Sequence, residues 1–252
     1  MVSGILGRRS PQTARHAHNV LRAALGQAER WELVPRNVAR LVKAPRVALA
    51  QVPTIEPTDV RRFLDSLPRG TYGALFTLAV STGLRQGELL ALTWPDVDTD
   101  RGIVRVRATL RPIRHTRGED YAWDEPKTPR SVRDVPLTGR ALAVMRRHKA
   151  AALSASLVFA RPDGRPLDRR EANYRWRAAL VAVGLPPVRM HSARHWFAGL
   201  SLDANGGDLR AVQALLGHES ITTTVNRYGG LADAAKQRTV DALGDVLGRD
   251  AG

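Results

Sequence analysis

Cysteine is absent from the chain, which excludes disulfide frameworks, thiolate-bound zinc and thiol nucleophiles. No uninterrupted apolar stretch approaches the roughly 20 residues of a membrane span, and the N-terminal stretch has no signal-peptide core. The expectation is a soluble, cytoplasmic protein with no membrane partner. Acidic residues are outnumbered, 24 Asp and Glu against 39 Lys and Arg, for a formal net charge of +15. The arginines are spread along the sequence rather than gathered in a tail, which points to a folded surface facing a polyanion, with nucleic acid favoured. Arginine excess also accompanies GC-rich coding sequence, so charge alone leaves the partner open. A chain of 252 residues can bury a sizeable core, and its punctuation fits two unequal domains. It contains no internal repeat or low-complexity tract.

Residues 10 to 30 predict a helix: Ser10 can cap it, Pro11 suits its first turn, and Val20, Leu21, Ala24, Leu25 and Ala28 recur at helical spacing. A shorter helix is expected around Asn37 to Val42. The stretch KAPRVALAQVPTI carries two prolines and no period, and reads as a linker. Pro57 opens a helix to about Leu67, an apolar helix from Tyr72 closes at Gly83, and a short one spans Gln86 to Leu92. Asp100-Arg101-Gly102 is a turn signal, after which Ile103, Val104 and Val106 begin a β-rich stretch to Leu137 with three short strands. From Gly139 the chain is helical again, with a loop at 161 to 166 and short helices around Asn173, Ser192, Leu209 and Thr222.

Three clusters carry chemistry. In Ser81-Thr82-Gly83-Leu84-Arg85-Gln86-Gly87-Glu88-Leu89, Arg85 sits at a corner between helices, and Glu88 lies one turn on, where its carboxylate can hold the guanidinium. A plain surface ion pair is the alternative. In His191-Ser192-Ala193-Arg194-His195, positions 191 and 194 share a helix face and can point at one phosphate, where Arg offers a planar fork and His a proton. His191 and His195 also have zinc-site spacing, but the metalloprotease pattern needs Glu where Ser192 stands. The third cluster is Leu215-Leu216-Gly217-His218-Glu219-Ser220, followed by Tyr228. Two short helices about Gly217 in a basic chain also fit a helix-turn-helix.

Taken in order, TGLRxxEL at 82 to 89, HxxRH at 191 to 195, LGH at 216 to 218 and Tyr228 resemble the signature of the tyrosine recombinase (phage integrase) family. The segment from Ser220 to Tyr228 is similar to the approach to the nucleophile in many integrases. The segment from Pro126 to Leu137 resembles the β-turn bearing the family's catalytic lysine, which puts that role on Lys127. The resemblance runs from about residue 10 to 232.

It implies a fold that is mainly α with a small antiparallel three-stranded β-sheet. The implied division is a partial helical core-DNA-binding domain over 1–45, a linker over 46–55, a catalytic domain over 56–232 and a tail helix over 233–252. The family's N-terminal clamp is commonly longer, so residues 10 to 42 are expected to supply only part of it. By the same resemblance Tyr228 attacks the scissile phosphate and forms a 3′-phosphotyrosyl link, with no metal, ATP or other cofactor. Arg85 and Arg194 clamp the phosphate oxygens, Lys127 protonates the leaving 5′-hydroxyl, His191 helps move the tyrosine proton, His218 bonds a phosphate oxygen, and Glu88 orients the arginine corner. The partner is double-stranded DNA, bound as a homo-tetramer, with accessory bending or excision proteins. In the tail, Val240, Leu243, Val246 and Leu247 share a helical face that could pack on its own domain or, as in the family, on a neighbouring subunit.

Ser192, Trp196 and Gly230 depart from the family's usual residues. Two other readings stay open: a non-catalytic DNA-binding protein, either an integrase remnant or a helix-turn-helix regulator, and a type IB topoisomerase. Serine recombinases and metal-dependent transposases fit less well, since neither an N-terminal serine motif nor a carboxylate triad is evident.

Overall fold

The computed structural model describes residues 10–47, 55–113, 121–124, 132–152 and 156–217. Two compact units divide the chain, Met1–Gln51 and Val52–Gly252.

The first unit is built on α1 (Pro11–Arg30), with Pro11 in its first turn and the Ser10 hydroxyl accepting from the Thr13 N–H at 3.3 Å. The chain turns back at Glu32, which takes a left-handed φ of 58°. Where a short helix was expected around Asn37, a single 3-10 turn forms over Val38–Leu41. Val42 is already extended, and one turn of chain is too short to close an α-helical ladder. Polar contacts fasten this turn to α1. Buried Asn37 caps it through Oδ1, which accepts from the Ala39 N–H at 3.1 Å, and its Nδ2 donates to Arg22 O at 2.8 Å. The His18 ring, also buried, sets Nε2 at 3.2 Å from Ala39 O and 3.0 Å from Val42 O. The buried apolar side chains described here are only Ala14 and Ala39, while Val20, Trp31, Leu33 and Leu41 are exposed.

The second unit opens with α2 (Pro57–Ser66) and α3 (Thr71–Thr82). Helix α3 is apolar on nearly every side, and a helix of that kind belongs inside a core; all but three of its residues are buried. It packs against α5 (Gly139–Ala150) and α7 (Ser192–Ala204). Around it Phe63, Phe76, Trp176 and Trp196 form an aromatic cluster, with Trp176 at 4.9 Å from Phe63, 5.3 Å from Phe76 and 5.4 Å from Trp196 between ring centroids. Trp196 is thus a core side chain. Among the described residues the remaining α-helices are α4 (Gln86–Ala91), α6 (Arg169–Ala182) and α8 (Leu209–Leu216). Helix α6 extends to 14 residues, longer than the short helix expected around Asn173. The helix expected around Thr222 and the tail helix lie outside the described residues.

The β region is richer than its pattern suggested. A three-stranded antiparallel sheet has the order β1 (Val97–Asp98), β2 (Ile103–Val106), β5 (Arg133–Pro136), with Val104 opposite both Val97 and Val135. A separate antiparallel pair joins β3 (Thr109–Pro112) to β4 (Tyr121–Asp124). Among its described residues, the stretch read as three strands therefore holds four. The third strand of the sheet comes instead from residues 97–98, which are too short to show an alternation. The turn between β1 and β2 falls where Asp100-Arg101-Gly102 placed it, with Asp98 Oδ1 accepting from the Arg101 N–H at 2.9 Å and Gly102 at φ 67°.

Candidate active site

The site begins at the end of α3. Gly83 closes that helix in the left-handed region, φ 62°, and its N–H donates to Ala79 O at 3.1 Å. A Cβ here would lie 2.5 Å from Phe197 Cδ1, so glycine is required by space as well as by φ. Two residues later Arg85 stands at the N-cap of α4 with extended backbone. Its N–H donates to Glu88 Oε2 at 2.8 Å and its Nη1 to Glu88 Oε1 at 2.7 Å. The expected Arg85–Glu88 contact is therefore present, but not as a surface pair: the Glu88 side chain is 6% exposed and that of Arg85 42%.

Glu88 is shared. From the start of β5, Arg133 donates through Nη2 to Glu88 Oε2 at 2.9 Å and through Nη1 to Oε1 at 3.4 Å. Its Nε donates to Leu215 O, near the end of α8, at 2.8 Å. Burial pushes the Glu88 carboxyl up, but the hydrogen bond and charge of Arg133, with the charge of Arg85, outweigh it and hold the group below the usual carboxylate range. Sequence reasoning assigned Arg133 no role. Its partners lie 45 and 82 residues away along the chain, so no local spacing announces them.

Arg194, on the first turn of α7, is 3% exposed. Its Nη1 donates to Gly83 O at 2.8 Å and its Nη2 to Leu216 O at 2.7 Å. One guanidinium thus joins the C-terminal ends of α3 and α8, where helix dipoles favour a cation. His191, the N-cap of α7, is exposed, and its ring meets that of His195 edge-on with centroids 5.1 Å apart. The two residues expected to share a face are therefore placed at different depths.

In front of this buried layer lies a cleft of about 660 Å³. Its described walls carry Arg85, Arg111, Arg169, Arg177, Arg189 and His191, with a single acid, Asp124, paired to Arg111 at 2.7 Å. Arg169, Asn173 and Arg177 follow at i, i+4 and i+8 on one face of α6, and that spacing was available in the sequence. Asn173 joins the walls: its Nδ2 donates to Gln86 Oε1 at 3.1 Å, and its Oδ1 accepts from the Met190 N–H at 3.3 Å. Gly87 lets β3 lie against α4, since a Cβ there would be 2.4 Å from Thr109 Oγ1. The cleft is a concave cationic surface of the kind that attracts polyanions. Lys127, His218 and Tyr228 lie outside the described residues. Among the described residues no group of His, Asp and Glu has the makings of a metal site, and no helix is long and apolar enough to cross a membrane.

Residues 53–235 match the model of the phage integrase family. The chain belongs to that family. Among its relatives are a XerC-like tyrosine recombinase of Caldanaerobacter subterraneus, 27% identical over 216 residues, and the tyrosine recombinase XerC of Xanthomonas axonopodis pv. citri, 32% identical over 206 residues. These alignments take in 78% and 80% of this chain but 55% and 58% of the two relatives. This phage integrase family member therefore spans little more than half their length. In fold it is similar to the Tn1549 transposon integrase solved with a circular intermediate DNA: the TM-score is 0.76 at 22% identity, over 94% of this chain and 83% of that one. A lambda integrase tetramer bound to a Holliday junction gives a TM-score of 0.62 at 19% identity, over 88% of this chain and 62% of that one.

Proposed function

We propose that this chain cuts and rejoins double-stranded DNA at specific sites, with Tyr228 as nucleophile, in the integration and excision of a mobile element. The observation that carries this reading is the cationic cleft with Arg85 on its wall and Arg194 buried behind it, in a chain that belongs to the phage integrase family. Phosphodiester exchange needs an attacking oxygen, an acid for the departing oxygen, and positive charge around the non-bridging oxygens as negative charge builds on them.

In this proposal the phenolic oxygen of Tyr228 bonds to phosphorus and the P–O5′ bond breaks. Lys127 gives a proton to the leaving 5′ oxygen, and His191 helps carry away the phenolic proton. The phosphate remains esterified as a 3′-phosphotyrosyl link, so rejoining by an incoming 5′-hydroxyl reverses the step without ATP. Arg85, fixed by Glu88, offers its outer edge to the phosphate. Arg194 supplies charge from beneath and exchanges a carbonyl contact for a phosphate oxygen when DNA is seated. His218 bonds a further oxygen. Arg169, Arg177 and Arg189 hold flanking phosphates, which sets position and salt dependence rather than sequence choice. The working assembly is a homo-tetramer on DNA in the cytoplasm; the lambda integrase tetramer on a Holliday junction supports that stoichiometry.

The test is covalent capture. From a pool of randomised-sequence duplexes nicked on one strand, the chain should trap a subset as protein–DNA adducts resistant to denaturant, while Tyr228→Phe binds the same duplexes and traps none. Adducts formed by Tyr228→Phe would remove that residue from its role. DNA binding without any adduct from the unaltered chain would make this a binding protein alone, and relaxation of supercoiled plasmid without a preferred site would favour a topoisomerase.

A further inference from the structure

Arg133 is tied to two parts of this site, the Glu88 carboxylate and the Leu215 carbonyl. It starts β5, six residues beyond Lys127 in sequence. Its guanidinium reaches both oxygens of Glu88, the carboxylate that grips Arg85. Its Nε holds Leu215 O, next to Leu216, whose carbonyl accepts from Arg194, and shortly before His218. The fit is close: the Arg133 side chain is 6% exposed, and a Cβ on Gly217 would come within 2.9 Å of its Nη1. A buried guanidinium is costly unless each direction of its fork finds an acceptor. Here the acceptors come from two separate helices, so holding Arg133 in place also fixes those helices relative to β5.

We propose that Arg133 is a positioning residue for strand exchange: it ties Glu88, and through it the Arg85 guanidinium, to the C-terminal turn of α8. It does not touch DNA; it sets the place from which Arg85 meets the phosphate. A lysine would keep the charge but could not span Glu88 and Leu215 with one planar fork. This inference rests on the recombinase reading above.

The test uses the full chain and a duplex selected by covalent capture from the nicked, randomised pool. Single-turnover adduct formation is followed for the unaltered chain and for Arg133→Lys. The variant should lose about 100-fold in rate at saturating duplex, the penalty of roughly an ångström of misplacement, while half-saturation by DNA stays nearly the same. A second duplex carries a methylphosphonate at the scissile position, which has one anionic oxygen fewer for Arg85 to meet. On it the gap between the two proteins should shrink. Equal rates on the ordinary duplex overturn the proposal. So does a gap of the same size on both duplexes, the mark of a general loosening, and so does loss of cooperative thermal unfolding in Arg133→Lys. If the unaltered chain captures nothing from the pool, the recombinase reading itself falls, and this assignment with it.

Discussion

Arg133 and Arg194 are buried behind the cleft and hydrogen-bonded to a carboxylate or to helix-terminal carbonyls, whereas Arg177 and Arg189 line its front with their side chains exposed. The same residue type thus serves two ends by opposite means. A guanidinium taken out of water must be matched, here by Glu88 and by the ends of α3 and α8, and the match makes it rigid. A guanidinium left in water costs little and is held loosely, but it attracts a polyanion over a distance set by salt. The inner layer should therefore govern rate and stability, and the outer layer affinity and its salt dependence.

The largest effect should come from Arg194→Lys. The charge remains, but an ammonium lacks the planar fork that would hold a helix-terminal carbonyl and a phosphate oxygen together, and adduct formation at saturating DNA should fall roughly 10²–10³-fold, as for loss of one oxyanion donor. Near-normal rates would show that the buried layer needs only charge, and the contrast between the layers would break.

Next in size is Glu88→Gln, which leaves Arg133 buried without its carboxylate and should cost about 3 kcal/mol in a denaturant melt. Because the folded carboxyl is held below the usual range, its pairing contributes full stability above the ordinary carboxylate value and loses it as pH falls through the folded value. Melts across acid pH should therefore show a decline in the unaltered chain that is flatter in Glu88→Gln. Parallel curves would mean that Glu88 contributes shape rather than charge.

The smallest effect is expected at the front of the cleft. Arg177→Ala should leave stability within about 0.5 kcal/mol and lower DNA affinity nearly evenly across sequences, reducing the slope of log affinity against log salt by about one. A large loss of adduct rate at saturating DNA would instead move Arg177 into the inner group.

Much of the helical framework could be read from short-range chemistry. Ser10, Pro11, Pro57, Gly83 and the Asp100-Arg101-Gly102 turn act through their own backbone and the next few residues, and each falls where it was expected. The β region was less legible, because β1 is two residues long and β3 pairs with β4 in a sheet separate from the three-stranded one. At the site, the Arg85–Glu88 contact followed from a three-residue spacing. The burial of Arg194 beneath Gly83, 111 residues earlier in the chain, did not.

By itself the sequence determined which residue types are present, in what order, and where helices begin and end, since caps, turns and periodicity are properties of neighbouring residues. Only the tertiary structure decided that Glu88 would be shared between two arginines, that Arg194 would lie beneath the cleft while His191 lines it, and that Arg133 would join β5 to α4 and α8. Those outcomes depend on acceptors brought together from distant segments. Whether a buried charge is tolerable is set by what surrounds it in space, which spacing along the chain does not encode.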